Sequence, residues 1–401
     1  MSQVKVVLDG ALFSECEMLG KNRDGMMRLT EDITQRLVRN KELDISFSNM
    51  QYSEKYENAL RNFVQENYPE HAGKIFSKKA PLLLNVLSRK PFKKYFKKFS
   101  PTPYFKELNS YDVFHSFYYP FSEKVLKNDI KRSITYLDII PLKLKGYPAS
   151  LINRTKKIVD SIAGNYAISI SEFSKQDLLE YDKRINPDKV FVVPLAASTD
   201  LFYKNTNIDD WQLIKSKYNL PDNYFLSVAG NDGRKNIPHL VKAFNQFVLQ
   251  EKPQDIHLVL TGNNSHNRSM LDDLKISKEV RDKIFIPDRF IDSADLAALY
   301  SNAASFFFMS LYEGFGLPAL EAMQCGVPVV TSNTTSLPEV AGEAGILISP
   351  TDEHELSGVM TQLYNDKELR IKYAEASLKR ASTFSWQRCA DEYAEIFKKI
   401  A

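Results

Sequence analysis

The chain reads as an α/β protein built from two doubly wound domains. Short apolar strands alternate with helical patterns from end to end. Those strands are rich in β-branched and aromatic residues and lack polar alternation, as in parallel sheets covered on both faces. The length, 401 residues, suits two or three domains of ordinary size.

In the first half, strands are expected at Val4–Leu8, Val113–Phe117, Ser133–Leu137, Tyr166–Ser169 and Val190–Val193. In the second half they are expected at Tyr224–Ala229, Ile256–Leu260, Lys283–Ile286, Ala304–Met309, Val327–Thr331 and Ile346–Ile348. A domain boundary is expected after Pro194, with Leu195–Asn207 as a weakly periodic linker. The last segment, from Ser385, is amphipathic, with Trp386, Cys389, Tyr393, Ile396 and Phe397 on one side. Two such domains facing each other leave a cleft at the carboxyl ends of both sheets, where ligands bind in this architecture.

Composition sets bounds on function. A hydrophobic content of 43% and a charged content of 26% are those of a globular protein, and the net charge of +3 is too small to argue for nucleic acid. No stretch approaches the about 20 apolar residues needed to span a membrane. The chain enters a strand directly at its start, without a signal-peptide pattern. Cys16, Cys325 and Cys389 form no metal or redox motif and suit a reducing cytoplasm. The histidines show no zinc spacing, and no Asp-x-Asp occurs to clamp a divalent metal, so no metal site is expected.

The segment EGFGLPALE, Glu313 to Glu321, carries the most chemistry. An apolar strand precedes it. Gly314 and Gly316 allow the backbone to approach a ligand, and Pro318 suits a first helical turn. Free N–H groups at a helix start donate to phosphate, and flanking carboxylates accept hydrogen bonds from hydroxyls. Phosphate plus polyol describes a nucleotide-sugar.

A second turn, Gly230-Asn-Asp-Gly233-Arg234-Lys235-Asn236, follows a strand and opens a helix. It reads as an exposed turn whose Arg234 and Lys235 can neutralise a diphosphate. Cations at a helix start oppose the helix dipole, which favours an anion beside them. In the first half Gly25 precedes a helix running to about Val38, and His115 and Asp138 stand at strand ends. A histidine in an apolar strand is otherwise a buried, hydrogen-bonded residue.

The region His71–Lys106 contains no Asp or Glu. At its centre, Arg89–Lys98, Phe92, Tyr95 and Phe96 interleave with Lys93, Lys94, Lys97 and Lys98. A basic helix with an aromatic face can lie on an anionic membrane surface. Packing of the aromatic face into the core is the competing reading, and nucleic-acid contact is not expected.

These residues resemble the retaining glycosyltransferases of family 4, which have the GT-B fold. The resemblance lies in RKN at Arg234–Asn236, DLAALYSNA at Asp295–Ala303, SLYEGFGLPALEAMQCGVPVV at Ser310–Val330, and SNTTSLPEVAGEAGILISP at Ser332–Pro350. SISEFSK at Ser169–Lys175 and KVFVVPLA at Lys189–Ala196 are similar too.

The resemblance implies two Rossmann-like domains around a central cleft. Residues 1–194 would bind acceptor, residues 195–384 would bind nucleotide-sugar, and a helix over 385–401 would cross back. It implies that Glu313 contacts the donor sugar, Glu321 the ribose, and Arg234 with Lys235 the diphosphate. Glu313, Arg234 and Lys235 would be the catalytic group. Gly25, Gly230, Gly314, Phe315, Gly316 and Leu317 would complete the donor site.

The family's His-Asp reads Leu137-Asp138 here. His115 and Asp138 are therefore the acceptor-side candidates. The expected activity is retaining transfer of a hexose from a nucleotide-diphosphate sugar, GDP-mannose being favoured, to a lipid-linked or oligosaccharide acceptor in surface polysaccharide or lipopolysaccharide synthesis. It is expected to need no metal or other cofactor, and to act at the inner face of the cytoplasmic membrane. The alternatives are a nucleotide-sugar epimerase or hydrolase of this architecture, or a non-catalytic donor-binding partner. Donor base, acceptor, linkage and oligomeric state are not legible in the sequence.

Overall fold

The computed structural model describes residues 3–19, 25–49, 54–76, 107–229, 232–262, 264–274 and 276–401. Gly230 and the basic segment Arg89–Lys98 lie outside the described residues. By contact the chain divides into two compact units. One holds residues 1–170, 175–193 and 387–401, and the other holds residues 171–174 and 194–386.

The first unit contains β1 (Val4–Asp9), β2 (Leu43–Ser48), β3 (Ile75–Phe76), β4 (Val113–Ser116), β5 (Lys131–Tyr136), β6 (Tyr166–Ser169) and β7 (Val190–Val192). All pairings are parallel, in the order β3-β2-β1-β4-β5-β6-β7. Phe114, Ile134, Tyr136, Val159, Ile162 and Ala167 form one layer of its core. The C-terminal helix Trp386–Ile400 packs on this unit. Tyr393 and Phe397 of that helix are buried.

Two strands of this sheet were not expected. β2 pairs along its whole length with β1, from Val4↔Leu43 to Asp9↔Ser48. Its Asp44, Ser46 and Ser48 break the apolar run that marks the other strands. Yet Ser46 and Ser48 are buried, and Ser46 shares a 3.1 Å hydrogen bond with the Tyr111 hydroxyl. β3 is too short to leave a periodic trace.

The second unit contains β8 (Asn223–Ala229), β9 (Ile256–Gly262), β10 (Ile284–Phe285), β11 (Ser305–Phe308), β12 (Val329–Ser332) and β13 (Ile346–Ile348). They form a parallel sheet in the order β10-β9-β8-β11-β12-β13. On helix Ile237–Glu251, Ile237, Leu240, Val241, Phe244, Phe247 and Val248 recur three or four apart and are buried. They meet Phe225, Leu258, Leu260 and Phe307 of the sheet. The segment read as a linker is not a free tether. Leu195, Ala196, Ala197 and Phe202 are all buried.

In each sheet the strand order reverses once, between β1 and β4 in the first and between β8 and β11 in the second. The carboxyl edge at such a reversal is where open α/β sheets bind ligands.

Candidate functional site

The loops leaving β8 and β11 converge at the reversal point of the second sheet. After β8, Asp232 caps a single turn, Gly233–Lys235, by accepting the Arg234 N–H at 3.1 Å. Asn236 follows in the left-handed region at φ 56°, which asparagine tolerates, and its amide donates to the Pro350 carbonyl at 2.7 Å. Helix Ile237–Glu251 begins there, with a proline in its first turn. After β11, Ser310 and Leu311 are tied to this turn through the Arg234 carbonyl, at 3.1 Å and 2.7 Å. The chain then passes Glu313 and Gly316 into helix Leu317–Gln324.

The two loops bring Glu313, Arg234 and Lys235 together. Lys235 Nζ donates to Glu313 Oε1 at 2.7 Å, and Arg234 Nη1 meets Glu313 Oε2 at 2.5 Å. Arg234 also bonds Asp232 Oδ2 through Nε at 2.8 Å and the Tyr312 carbonyl at 2.8 Å. Lys235 Nζ lies 4.4 Å from the centre of the Phe308 ring. Side-chain exposure is 8% for Glu313, 14% for Lys235 and 17% for Arg234. The reading of Arg234 and Lys235 as an exposed turn is therefore corrected, because both are packed inside an ion-pair cluster. The anion that the helix dipole called for is present within the protein, as Glu313 and Asp232.

Burial pushes the Glu313 carboxyl up, but the ammonium of Lys235 and the guanidinium of Arg234 outweigh it and hold it below its ordinary value. Burial pushes the Lys235 ammonium below its ordinary value despite Glu313 beside it. Burial also opposes the charge on Arg234, yet Glu313 and Asp232 raise its guanidinium above the usual value. The carboxylate is ionised at neutral pH and held between two cations.

Backbone contacts fix the glutamate turn. Gly316 has φ 109°, where side chains are disfavoured, and a Cβ there would lie 2.6 Å from Leu337 Cδ2. The Glu313 N–H donates to Thr335 Oγ1 at 3.2 Å. Thr335 is β-branched yet sits at φ 58°, an outlier of the kind that clusters at functional sites. The Ser336 hydroxyl lies 2.9 Å from both the Glu313 and Phe315 carbonyls. The Gly314 carbonyl accepts from Ser171 Oγ at 2.6 Å and Ser174 Oγ at 3.0 Å. Glu339 accepts the Glu172 and Phe173 N–H groups at 2.8 Å and 2.6 Å.

None of Asp232, Ser171, Ser174, Thr335 and Ser336 was singled out as a site residue from sequence, although the last four lie in segments that carry the family resemblance. Removing the Ser336 hydroxyl with alanine leaves two buried carbonyls without it. The expected loss is about 1–3 kcal/mol, read as a lower urea midpoint at unchanged slope.

The other sequence candidates fall in several places. Gly314 and Phe315 are buried, and the Phe315 ring packs edge-on against Phe384, so only its main chain can serve a ligand. Leu317 and Glu321 are half-buried on helix Leu317–Gln324. Gly25 is the exposed first residue of helix Gly25–Leu37 in the first unit, and a Cβ there would meet nothing within 4 Å. Asp138, half-buried after β5, accepts the Ile140 N–H at 3.0 Å.

His115 is corrected. It is fully buried, its Nδ1 lies 2.8 Å from Ser133 Oγ and its Nε2 3.0 Å from Thr135 Oγ1. Its ring packs against Phe117, Tyr393 and Phe397. Burial pushes its pKa down to about 3, so it is a neutral core residue rather than an acceptor contact. Among the described residues no group of three or more His, Cys, Asp or Glu is placed to hold a metal ion, and no helix is long and apolar enough to cross a membrane.

Two doubly wound parallel sheets, the second with a Glu-Gly-x-Gly turn closed onto an Arg-Lys turn at its reversal point, place this molecule in the GT-B class. Residues 210–380 match the family model described as glycosyl transferases group 1. The chain is 33% identical over 234 residues to the O-antigen chain mannosyltransferase B of Escherichia coli, a match covering 58% of this chain and 60% of that protein. It is 30% identical over 279 residues to the serotype-specific mannosyltransferase WbdA of Escherichia coli, covering 66% of this chain and 33% of that one. The matched stretch thus spans less than two thirds of either relative. A structure of HepE from Anabaena in complex with UDP superposes with a TM-score of 0.66 at 13% identity, covering 99% of this chain and 100% of that one.

Proposed function

We propose that this protein is a retaining glycosyltransferase that moves mannose from a nucleotide-diphosphate donor to a growing surface glycan. The observation that carries the reading is the cluster of Glu313, Arg234 and Lys235 at the reversal point of the second sheet. Two cations there face two carboxylates, so the ligand-free cluster is charge-balanced. A donor diphosphate brings competing negative charge. As it takes up Arg234 and Lys235, the Glu313 carboxylate is released to accept hydrogen bonds from the sugar hydroxyls.

In the transfer step the bond between the anomeric carbon and the diphosphate oxygen breaks. The acceptor oxygen bonds to that carbon on the same face, and its proton passes to the departing diphosphate oxygen. Arg234 and Lys235 are already in place to stabilise the charge that grows there, without reorganisation. Mannose is supported by the names of the two relatives, and a nucleotide donor by the UDP complex of the structural neighbour. A lipid-linked acceptor, action at the inner membrane face and independence from divalent metal complete the proposal.

The test is transfer of labelled hexose from a panel of GDP-, UDP- and dTDP-sugars to mannose oligosaccharides, with and without a polyprenyl-linked acceptor. Release of free sugar alone would indicate a hydrolase, and binding without turnover a donor-binding partner. In parallel, the matching nucleoside diphosphate at a hundred times its Kd should stabilise the fold by about 2.7 kcal/mol. Turnover should survive excess EDTA, and its loss would overturn the metal-independent part of the proposal.

A further inference from the structure

Helix Lys367–Ala381 contributes no residue to the ion-pair cluster, yet it packs on helix Leu317–Gln324. Its Leu378 fills the space at Gly326, where a Cβ would lie 3.2 Å from Leu378 Cγ. Two residues on, Arg380 reaches a different element. Its Nε donates to the Val340 carbonyl at 2.9 Å and its Nη2 donates to the Glu339 carbonyl. Both carbonyls lie near the end of helix Leu337–Ala341, where a helix leaves its acceptors unsatisfied. The guanidinium carbon also lies 4.8 Å over the Phe384 ring. Arg380 is half-buried, and burial pulls its pKa below the usual arginine value with no carboxylate among the described residues raising it. Two carbonyls and a ring hold this guanidinium, not an ion pair.

Each of those contacts leads to the glutamate turn. Helix Leu337–Ala341 continues directly from Thr335 and Ser336, which hold the Glu313 N–H and the Glu313 and Phe315 carbonyls. The Glu339 carboxylate fixes the Glu172 and Phe173 N–H groups, and Ser171 and Ser174 beside them hold the Gly314 carbonyl. The Phe384 ring stands edge-on to Phe315, ring centres 6.1 Å apart. Glu313, Gly314 and Phe315 are thus held by three sets of contacts, and Arg380 touches an element behind each.

We infer that Arg380 is a positioning residue for transfer, acting through Ser336 and Phe384 on the placement of the Glu313 carboxylate. A displacement of about 1 Å at a reacting group costs about a hundredfold in rate. Thr335 sits at φ 58° next to Ser336, and a residue in that region stays there only when its surroundings hold it. The planar guanidinium fork suits this work. Lysine offers a single point charge and cannot bond both carbonyls while lying flat on the ring. The effect of Arg380 on rate rests on the transferase reading, but its hold on the turn does not.

The experiment compares the full chain with its Arg380→Lys variant. Hydrogen exchange by mass spectrometry over residues 312–317 reports on the turn, since the Glu313 amide is bonded to Thr335 Oγ1. Exchange there should be faster in Arg380→Lys, with exchange over helix Ile237–Glu251 unchanged. In the transfer assay kcat should fall about ten- to a hundredfold while donor KM and nucleoside diphosphate affinity hold. Phe384→Leu keeps apolar bulk but removes the flat ring. It should act in the same direction and carries the test if Arg380→Lys does not fold. Met360→Ala, a fully buried change in the same unit, controls for lost stability and should leave kcat and the exchange of the turn at wild-type values. In a Ser336→Ala background the effect of Arg380→Lys on kcat should shrink, because part of its route is already broken. Wild-type kcat or wild-type exchange over residues 312–317 in folded Arg380→Lys would overturn the inference. So would faster exchange spread evenly over the second unit, or full additivity with Ser336→Ala. If the wild type transfers from no donor, the transferase reading falls, and exchange over residues 312–317 alone decides whether Arg380 holds the turn.

Discussion

Glu313→Gln is expected to lower sugar transfer by about 10²–10³-fold while nucleoside diphosphate affinity stays constant or rises. The first effect follows from losing a preorganised charged partner at the reacting sugar, with the magnitude set by analogy to a lost oxyanion donor. The second follows from the ion pairs. Glu313 occupies both Lys235 Nζ and Arg234 Nη1 in the ligand-free protein, so removing its charge leaves both cations freer for phosphate. Isothermal titration with the nucleoside diphosphate measures this directly. A fall in affinity would show that Glu313 organises the phosphate site and does not compete for it. Stability should also change. Breaking a buried ion pair costs about 3–5 kcal/mol, and glutamine lies toward the lower end because its carbonyl still accepts a hydrogen bond.

The pH dependence of stability has a fixed sign. The folded-state pKa of Glu313 lies below the ordinary value of 4.5. The stability this carboxylate contributes is full above that ordinary value and is lost as pH falls through the lower folded value. Urea unfolding across that acid window should therefore show a shallower pH slope in Glu313→Gln than in the wild type.

Much of the fold was legible because its signals are local. Strands such as β8 and β11 are apolar runs of β-branched and aromatic residues, and the helices of the second unit carry three- and four-residue spacing. β2 was not legible, because Asp44, Ser46 and Ser48 give it the polarity of a loop. Only its pairing with β1 and the burial of its serines make it a strand.

The site divides in the same way. The Glu-Gly-x-Gly turn was visible as a contiguous motif. The partner of Lys235 lies 78 residues away, so a pair of cations at a turn looked solvent-exposed. The hydroxyls that hold the Gly314 carbonyl come from Ser171 and Ser174, 143 and 140 residues distant. His115 misled for the opposite reason. A strand-end position said nothing about the C-terminal helix that Tyr393 and Phe397 lay over its ring.

Gly316→Ala should destabilise the second unit by about 2–6 kcal/mol and remove activity even where the protein still folds. Two independent costs combine. Holding a non-glycine residue at φ 109° costs about 1–3 kcal/mol. The new methyl would also lie 2.6 Å from Leu337 Cδ2, and forcing an extra carbon into a packed region costs about 1–3 kcal/mol more. Leu337 is fully buried and begins helix Leu337–Ala341, so its side chain has little room to withdraw. A double-mutant cycle separates the two terms. Leu337→Ala removes the clash but leaves the backbone cost, so adding Gly316→Ala to Leu337→Ala should cost less than adding it to the wild type. Additivity would mean that the contact is relieved by a shift of the turn itself. Activity distinguishes these outcomes, because Gly316 joins the Glu313 turn to helix Leu317–Gln324 and any shift moves the carboxylate. Transfer should stay low in the double variant although Gly316→Ala adds a smaller stability cost there than in the wild type. Full recovery of transfer by Leu337→Ala would show that the left-handed glycine turn is not what positions Glu313.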